Sequence, residues 1–231
     1  SKRQGDVSVD DYLKKGFLPN ALLNFVALLG FNPSADREIY SIQELTDAFD
    51  LSRINKSGAV FDTTKLCWMN GQYIRSTENE TLFKLALPFF GNATHLADET
   101  KKRILEVEKE RLVTLDELPD HVETYLTLSD YEPEELIWKK ADLDDTRLHL
   151  TALKPIVESI DEEQFQNRKL IEDIIKKYIV DNGYQNGNVL WPLRVALSGQ
   201  TQSSGPFDIL WILGKVEALN RISIAINKIS S

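Results

Sequence analysis

One pattern recurs along this 231-residue chain and restricts what it can fold into. A short polar residue is followed, three positions on, by an acid or amide, and apolar residues spaced three and four apart come next. Ser8-x-x-Asp11, Ser41-x-x-Glu44, Thr77-x-x-Glu80, Thr114-x-x-Glu117 and Asp161-x-x-Gln164 all carry it. In such a box the first side chain accepts from a free amide of the opening turn while the second reaches back. Five helix starts of this kind predict a mainly α fold.

The rest of the chain supports that reading. Pro19 stands where a second helix would begin, Leu22, Phe25, Val26 and Leu29 form an apolar face, and Gly30 closes it. Asp62 caps a helix with Leu66, Met69 and Tyr73 on one side. Between them, the run Ala59-Val60-Phe61 is strand-like and predicts a short pairing with Val7-Ser8-Val9. From Thr77 onward the pattern predicts helices at about 78–90, 98–109, 114–118, 133–139, 142–160 and 162–181. Breaks near Ser76 and at Asp181-Asn182-Gly183 divide the chain into 1–76 and 77–231, with a further split of the second part near 182. After the Asn186-Gly187 turn, Pro192 is expected in the first turn of a helix that ends at Gly199. Pro206 then opens another, ending at Gly214, before a last helix with Val216, Leu219, Ile222 and Ile226.

Composition excludes several classes of function. No apolar run approaches the ~20 residues that span a bilayer. The single Cys67 has no partner for an internal disulfide, and its apolar surroundings predict a packing role. His95, His121 and His149 are scattered, so no metal set is expected. No glycine loop of the phosphate-cradling type and no G-x-S-x-G elbow occurs. The net charge of −9 runs against nucleic-acid binding, but it is concentrated. Residues 77–181 hold 25 acidic and 14 basic groups, 1–76 balance at nine of each, and 182–231 hold four basic and two acidic. A helical scaffold for protein partners, with no RNA role, is therefore a second reading of the same composition.

Three strings go further. The first runs Ser1-Lys2-Arg3, Gly5-x-Val7-Ser8-Val9, then Gly16-Phe17-Leu18-Pro19-x-Ala21-Leu22-Leu23-Asn24. The second is Phe61-Asp62-x-x-Lys65-Leu66-x-Trp68-Met69-Asn70-Gly71-x-Tyr73-Ile74-Arg75. The third is Trp191-Pro192-Leu193-Arg194-x-Ala196-Leu197-Ser198-Gly199, a polar loop, and Phe207-x-Ile209-Leu210-x-x-Leu213-Gly214-Lys215. Together they resemble the bacterial glutamyl-tRNA synthetases, a class I family, from the end of the KMSKS-type loop onward. Between about 92 and 180 the likeness thins.

The resemblance implies a helical stem-contact domain with a short strand pair over 1–76 and an α-helical anticodon-binding bundle over 77–231. It implies glutamate-specific tRNA as partner, no membrane, a cytoplasmic monomer, and a catalytic domain of the same protein outside this stretch. ATP and magnesium would serve that domain, with none expected here. Lys2 would be the KMSKS-type lysine that touches ATP. Asn70 and Arg75 would contact the tRNA stem, while Trp68 and Tyr73 are expected to pack in the core. Arg111, Arg194, Ser203, Ser204 and Pro206 would meet the anticodon, the first two because a guanidinium can bond and stack on a base. Relatives commonly carry Thr-Pro-Gly where this chain has Ser203-Ser204-Gly205-Pro206. With the catalytic domain outside, ATP–pyrophosphate exchange in the presence of glutamate and tRNA should stay at background for this chain. A rate above background would place an active site within these residues.

Overall fold

The computed structural model describes residues 8–34, 36–54, 58 and 60–230. Their regular structure is α1 (Val9–Lys14), α2 (Pro19–Gly30), α3 (Ile42–Ala48), α4 (Thr63–Ser76), α5 (Asn79–Ala86), α6 (Asp98–Glu108) and α7 (Leu118–Leu126). There follow α8 (Leu143–Ser159), α9 (Glu162–Phe165), α10 (Arg168–Asp181), α11 (Asn186–Ser198) and α12 (Pro206–Ser230). Single 3-10 turns link several of them. The chain divides into two compact units, one up to His121 and one from Val122.

The capping chemistry decides most of the starts. Ser8 with Asp11, Ser41 with Glu44, and Asp161 with Gln164 form reciprocal boxes at α1, α3 and α9. Pro19 and Gly30 bound α2 as the sequence predicts. The expected strand pair does not form among the described residues: Val9 opens α1, and Val60 and Phe61 lie in irregular backbone. Val7 and Ala59 fall outside the described residues. Ser8 and Val9 lie both in the strand pattern over 7–9 and in the capping box over 8–11, and the box won because its two bonds satisfy amides that a helix start leaves free.

Two further boxes fail for local reasons. Thr77 caps the end of α4, its hydroxyl donating to Tyr73 O at 2.6 Å, and Glu78 caps α5 instead. The Thr114 hydroxyl donates to Asp116 at 2.5 Å, so only a single 3-10 turn follows it. The real helix there is α7, with Pro119 in its first turn, where its missing amide costs nothing. The Asn186-Gly187 pair begins α11 rather than preceding it, so Pro192 lies in the helix interior and not in its first turn. The expected helix over 162–181 is split into α9 and α10, with Asn167 capping the second.

In the first unit, Phe17, Leu22, Phe25, Leu66 and Met69 form the core between α2 and α4. In the second, α8, α11 and α12 pack around Tyr131, Leu136, Leu150, Val195, Ala196 and Ala225. The break near Ser76 is the α4–α5 junction, inside the first unit, and the break after Asp181 lies inside the second.

α12 bends at Gly214, where φ is 76° and ψ 166°. That backbone state is essentially confined to glycine, and it separates the two helices that the sequence predicted around this residue. A methyl at Gly214 would meet nothing within 4 Å, so the constraint is conformational and not steric. Gly214→Ala should therefore lower stability by about 1–3 kcal/mol, read as a shifted urea midpoint with unchanged slope.

Candidate nucleic-acid interface

The second unit holds an aromatic platform. Trp191 sits on α11, and its indole N–H donates to Glu135 O at 2.9 Å, which fixes the ring. Trp138, in the irregular stretch before α8, lies against it with ring centroids 5.0 Å apart and planes tilted by 41°. The Arg194 guanidinium, one turn along α11, covers Trp191 at 4.7 Å and donates to Thr201 O at 2.8 Å. Lys139 carries its ammonium 4.7 Å from the Trp138 ring. Its φ of 51° makes it the one non-glycine with positive φ among the described residues. A lysine held in that region is unusual enough to mark a constrained loop.

A groove of about 280 Å³ opens between Trp138, Leu190, Trp191, Arg194 and Pro206. A second recess of about 540 Å³ shares Trp138 and is bordered by Lys139, Lys140, Gln185 and Asn188. Flat rings, a guanidinium plane and amide groups at a groove edge are the equipment that holds unstacked bases.

Of the sequence-predicted anticodon set, the structure brings Arg194 and Pro206 together on this groove. Ser203 is half-buried in the loop before α12. Ser204 is 8 % exposed, so its hydroxyl is largely withdrawn from solvent, against expectation. Trp138 was missed: the helix expected over 133–139 shortens to the single turn Pro133–Leu136, and only the fold brings the Trp138 indole against Gly187, 49 positions on.

In the first unit, Arg111 lies just beyond α6 with its side chain 42 % exposed. Its Nη1 donates to Glu108 Oε2 at 2.9 Å, and the same oxygen is 2.6 Å from His121 Nδ1. Arg75 is half-buried near the end of α4, and its Nη1 donates to Glu110 O at 3.4 Å.

Asn70 does not fit the stem-contact role given to it. It is fully buried, accepting from Leu18 N at 2.8 Å and donating to Val113 O at 2.6 Å. Both ends of its amide are used inside the unit, where they tie together segments far apart in sequence. Trp68 departs in the other direction and is 45 % exposed, because Leu66, Met69 and Tyr73 take the inward face of α4. Tyr73 packs in the core as expected, its hydroxyl reaching Asn24 Oδ1 and Tyr40 O.

Lys2 lies outside the described residues. Among the described residues no three of His, Cys, Asp and Glu gather to hold a metal. Burial, with Glu117 and Asp116 adding, pushes the half-buried Cys67 thiol up, which keeps it from acting as a thiolate at neutral pH.

Two family models match this chain. Residues 81–226 match the family described as "Anticodon binding domain", and residues 1–68 match "tRNA synthetases class I (E and Q), catalytic domain". A glutamate–tRNA ligase of Clostridium botulinum (strain Hall) is 40 % identical over 234 residues, covering 100 % of this chain and 47 % of its own length. One from Clostridium acetobutylicum is 40 % identical over 233 residues, 99 % of this chain and 47 % of its own. The chain thus spans about half the length of the curated relatives it matches. The crystal structure of a glutamate tRNA ligase from Elizabethkingia meningosepticum, in complex with its amino acid, superposes with a TM-score of 0.79 at 26 % identity. It covers 94 % of this chain and 42 % of that one. The glutamate-tRNA synthetase of Elizabethkingia anophelis gives 0.75 at 29 % identity, with the same 94 % and 42 % coverage.

The platform can be tested without any ligand. A Cβ on Gly187 would lie 2.0 Å from Trp138 Nε1, so Gly187→Ala must displace the indole. Overpacking of this kind costs about 1–3 kcal/mol. Near-ultraviolet circular dichroism should change with it, while far-ultraviolet helicity is retained.

Proposed function

The chain belongs to the anticodon-binding domain family found in glutamate–tRNA ligases, and on that basis we propose that it positions tRNA and reads its anticodon within such an enzyme. The whole protein would attach glutamate to its tRNA at the expense of ATP, and would work in the cytoplasm as a monomer. ATP and magnesium would be handled elsewhere in that protein. The chain has no phosphate-cradling glycine loop, and of its residues only Lys2 is assigned to the nucleotide. In functional terms 1–76 would be the stem-contact domain and 77–231 the anticodon-binding domain.

The observation that carries this reading is the ordered stack of Trp138, Trp191 and Arg194 beside Pro206. A base flipped from the anticodon loop could stack on this surface and be bonded at its edge by the guanidinium. Arg111, exposed on a fixed base at the end of α6, is the second base contact of the proposal. Its planar fork favours one base edge, and its obligate charge disfavours another. Arg75 remains the stem-contact candidate; Asn70 supports the fold beneath it.

Helices alone would suit a protein scaffold as well. The family match over 81–226 and the stacked tryptophan–arginine set favour RNA. No helix among the described residues is long and apolar enough to cross a membrane.

Binding to two tRNAs that differ only at the third anticodon position tests the reading. Arg111→Gln should shrink their affinity ratio by about 1–3 kcal/mol, the range for losing a bidentate base contact. Arg194→Ala should weaken both tRNAs, and affinity should fall with rising salt if phosphates are engaged. Binding that ignores salt and both substitutions would return the chain to the scaffold reading.

A further inference from the structure

A buried acid, Glu108, lies against Arg111. We propose that Glu108 is a positioning residue for base selection, its carboxylate aiming the Arg111 guanidinium while His121 helps to hold that carboxylate. The proposal rests on the reading of Arg111 as a base contact.

Arg111 is attached beyond the end of α6, where a side chain with four torsions would ordinarily sample many rotamers. Glu108 limits them. It is the last residue of α6, one turn before Arg111, and only 1 % exposed. A carboxylate so far from water is tolerated only when its charge is compensated at close range. Oε2 lies 2.9 Å from Arg111 Nη1 and 2.6 Å from His121 Nδ1. The carboxylate is thus tied to α7 as well as to α6, and the guanidinium turns about a pivot that does not move. The backbone repeats the arrangement, since Arg111 N donates to Glu108 O at 2.8 Å.

Two consequences follow for recognition. The rotamer freedom of Arg111 is surrendered on folding and not on binding, so a contact made by the fork keeps more of its interaction energy. The paired acid also offsets the formal charge of the guanidinium. What faces a ligand is then a directed set of N–H groups more than a diffuse positive charge, which suits choice between base edges over general attraction to phosphate.

E108Q keeps the shape and removes the charge. The 231-residue chain and its E108Q, E108D, R111Q and E108Q/R111Q variants are titrated with the two tRNAs that differ at the third anticodon position. E108Q should reduce the affinity ratio about fivefold or more. E108D, which retains a carboxylate, should lie between E108Q and the unaltered chain, and the double variant should fall no lower than R111Q alone. A loss of general structure would weaken both tRNAs together and leave the ratio in place. If R111Q lowers the ratio and E108Q does not, the positioning role is overturned while the reading of Arg111 stands. If R111Q leaves the ratio unchanged, the underlying reading fails and this one fails with it. Should E108Q not fold, E108D decides: a ratio equal to that of the unaltered chain overturns the proposal.

Discussion

The second unit depends on a buried cation. Arg221 is 1 % exposed, and a guanidinium at that depth demands full compensation. It receives a carboxylate from Glu217 at 2.7 Å and three carbonyls: Thr124 at 2.9 Å, Tyr125 at 3.1 Å and Leu197 at 2.7 Å. Those carbonyls close α7 and α11, where helices leave acceptors unpaired and a partial negative charge accumulates. One side chain thus meets three needs, ending two helices and fixing α12 against both. Displacing any one of the three helices would leave the charge or the carbonyls stranded, so their arrangement is set as a group.

The groove is mounted on that arrangement. α11 carries Trp191 and Arg194 on the same helix whose end Arg221 holds, and α12 contributes Pro206 from the far side of the Gly214 bend. The bend lets the opening turns of α12 take a direction of their own while the later turns remain fixed by Arg221. Gly187 adds the last requirement: with no side chain, it admits the Trp138 indole against the start of α11. Rigid elements thus support a groove made partly of irregular chain.

Much of this was legible in the residues because it is local. The boxes at Ser8, Ser41 and Asp161, the Pro19 start and the glycine at 214 each act within a few positions, and each appears where the pattern placed it. The errors arose where a residue answers to distant partners. Asn70 looks like a surface polar group in its string, yet it bridges Leu18 and Val113. Arg221 reads as one more helix cation, and no nearby residue reveals that carbonyls from 96 and 97 positions earlier surround it. Glu108 is one acid among many in a charge-rich stretch, and only the return of α7 brings His121 to it. Resemblance supplied Arg111 and Arg194; the hydrogen bonds they make, to Glu108 and to Thr201, came from the fold.

The acid-rich middle of the chain affects how a polyanion would arrive. Its cations are largely committed at home: Lys102 to Glu80, Arg147 to Asp144, Lys169 to Asp173 and Lys177 to Asp181. Excess carboxylate therefore sets the sign of the field over that stretch, and long-range attraction does little to speed an encounter with RNA. Association would proceed at the slower pace of an unassisted docking event, and selectivity would appear mainly in how long a bound RNA stays. Such a surface also discourages loose residence on other polyanions.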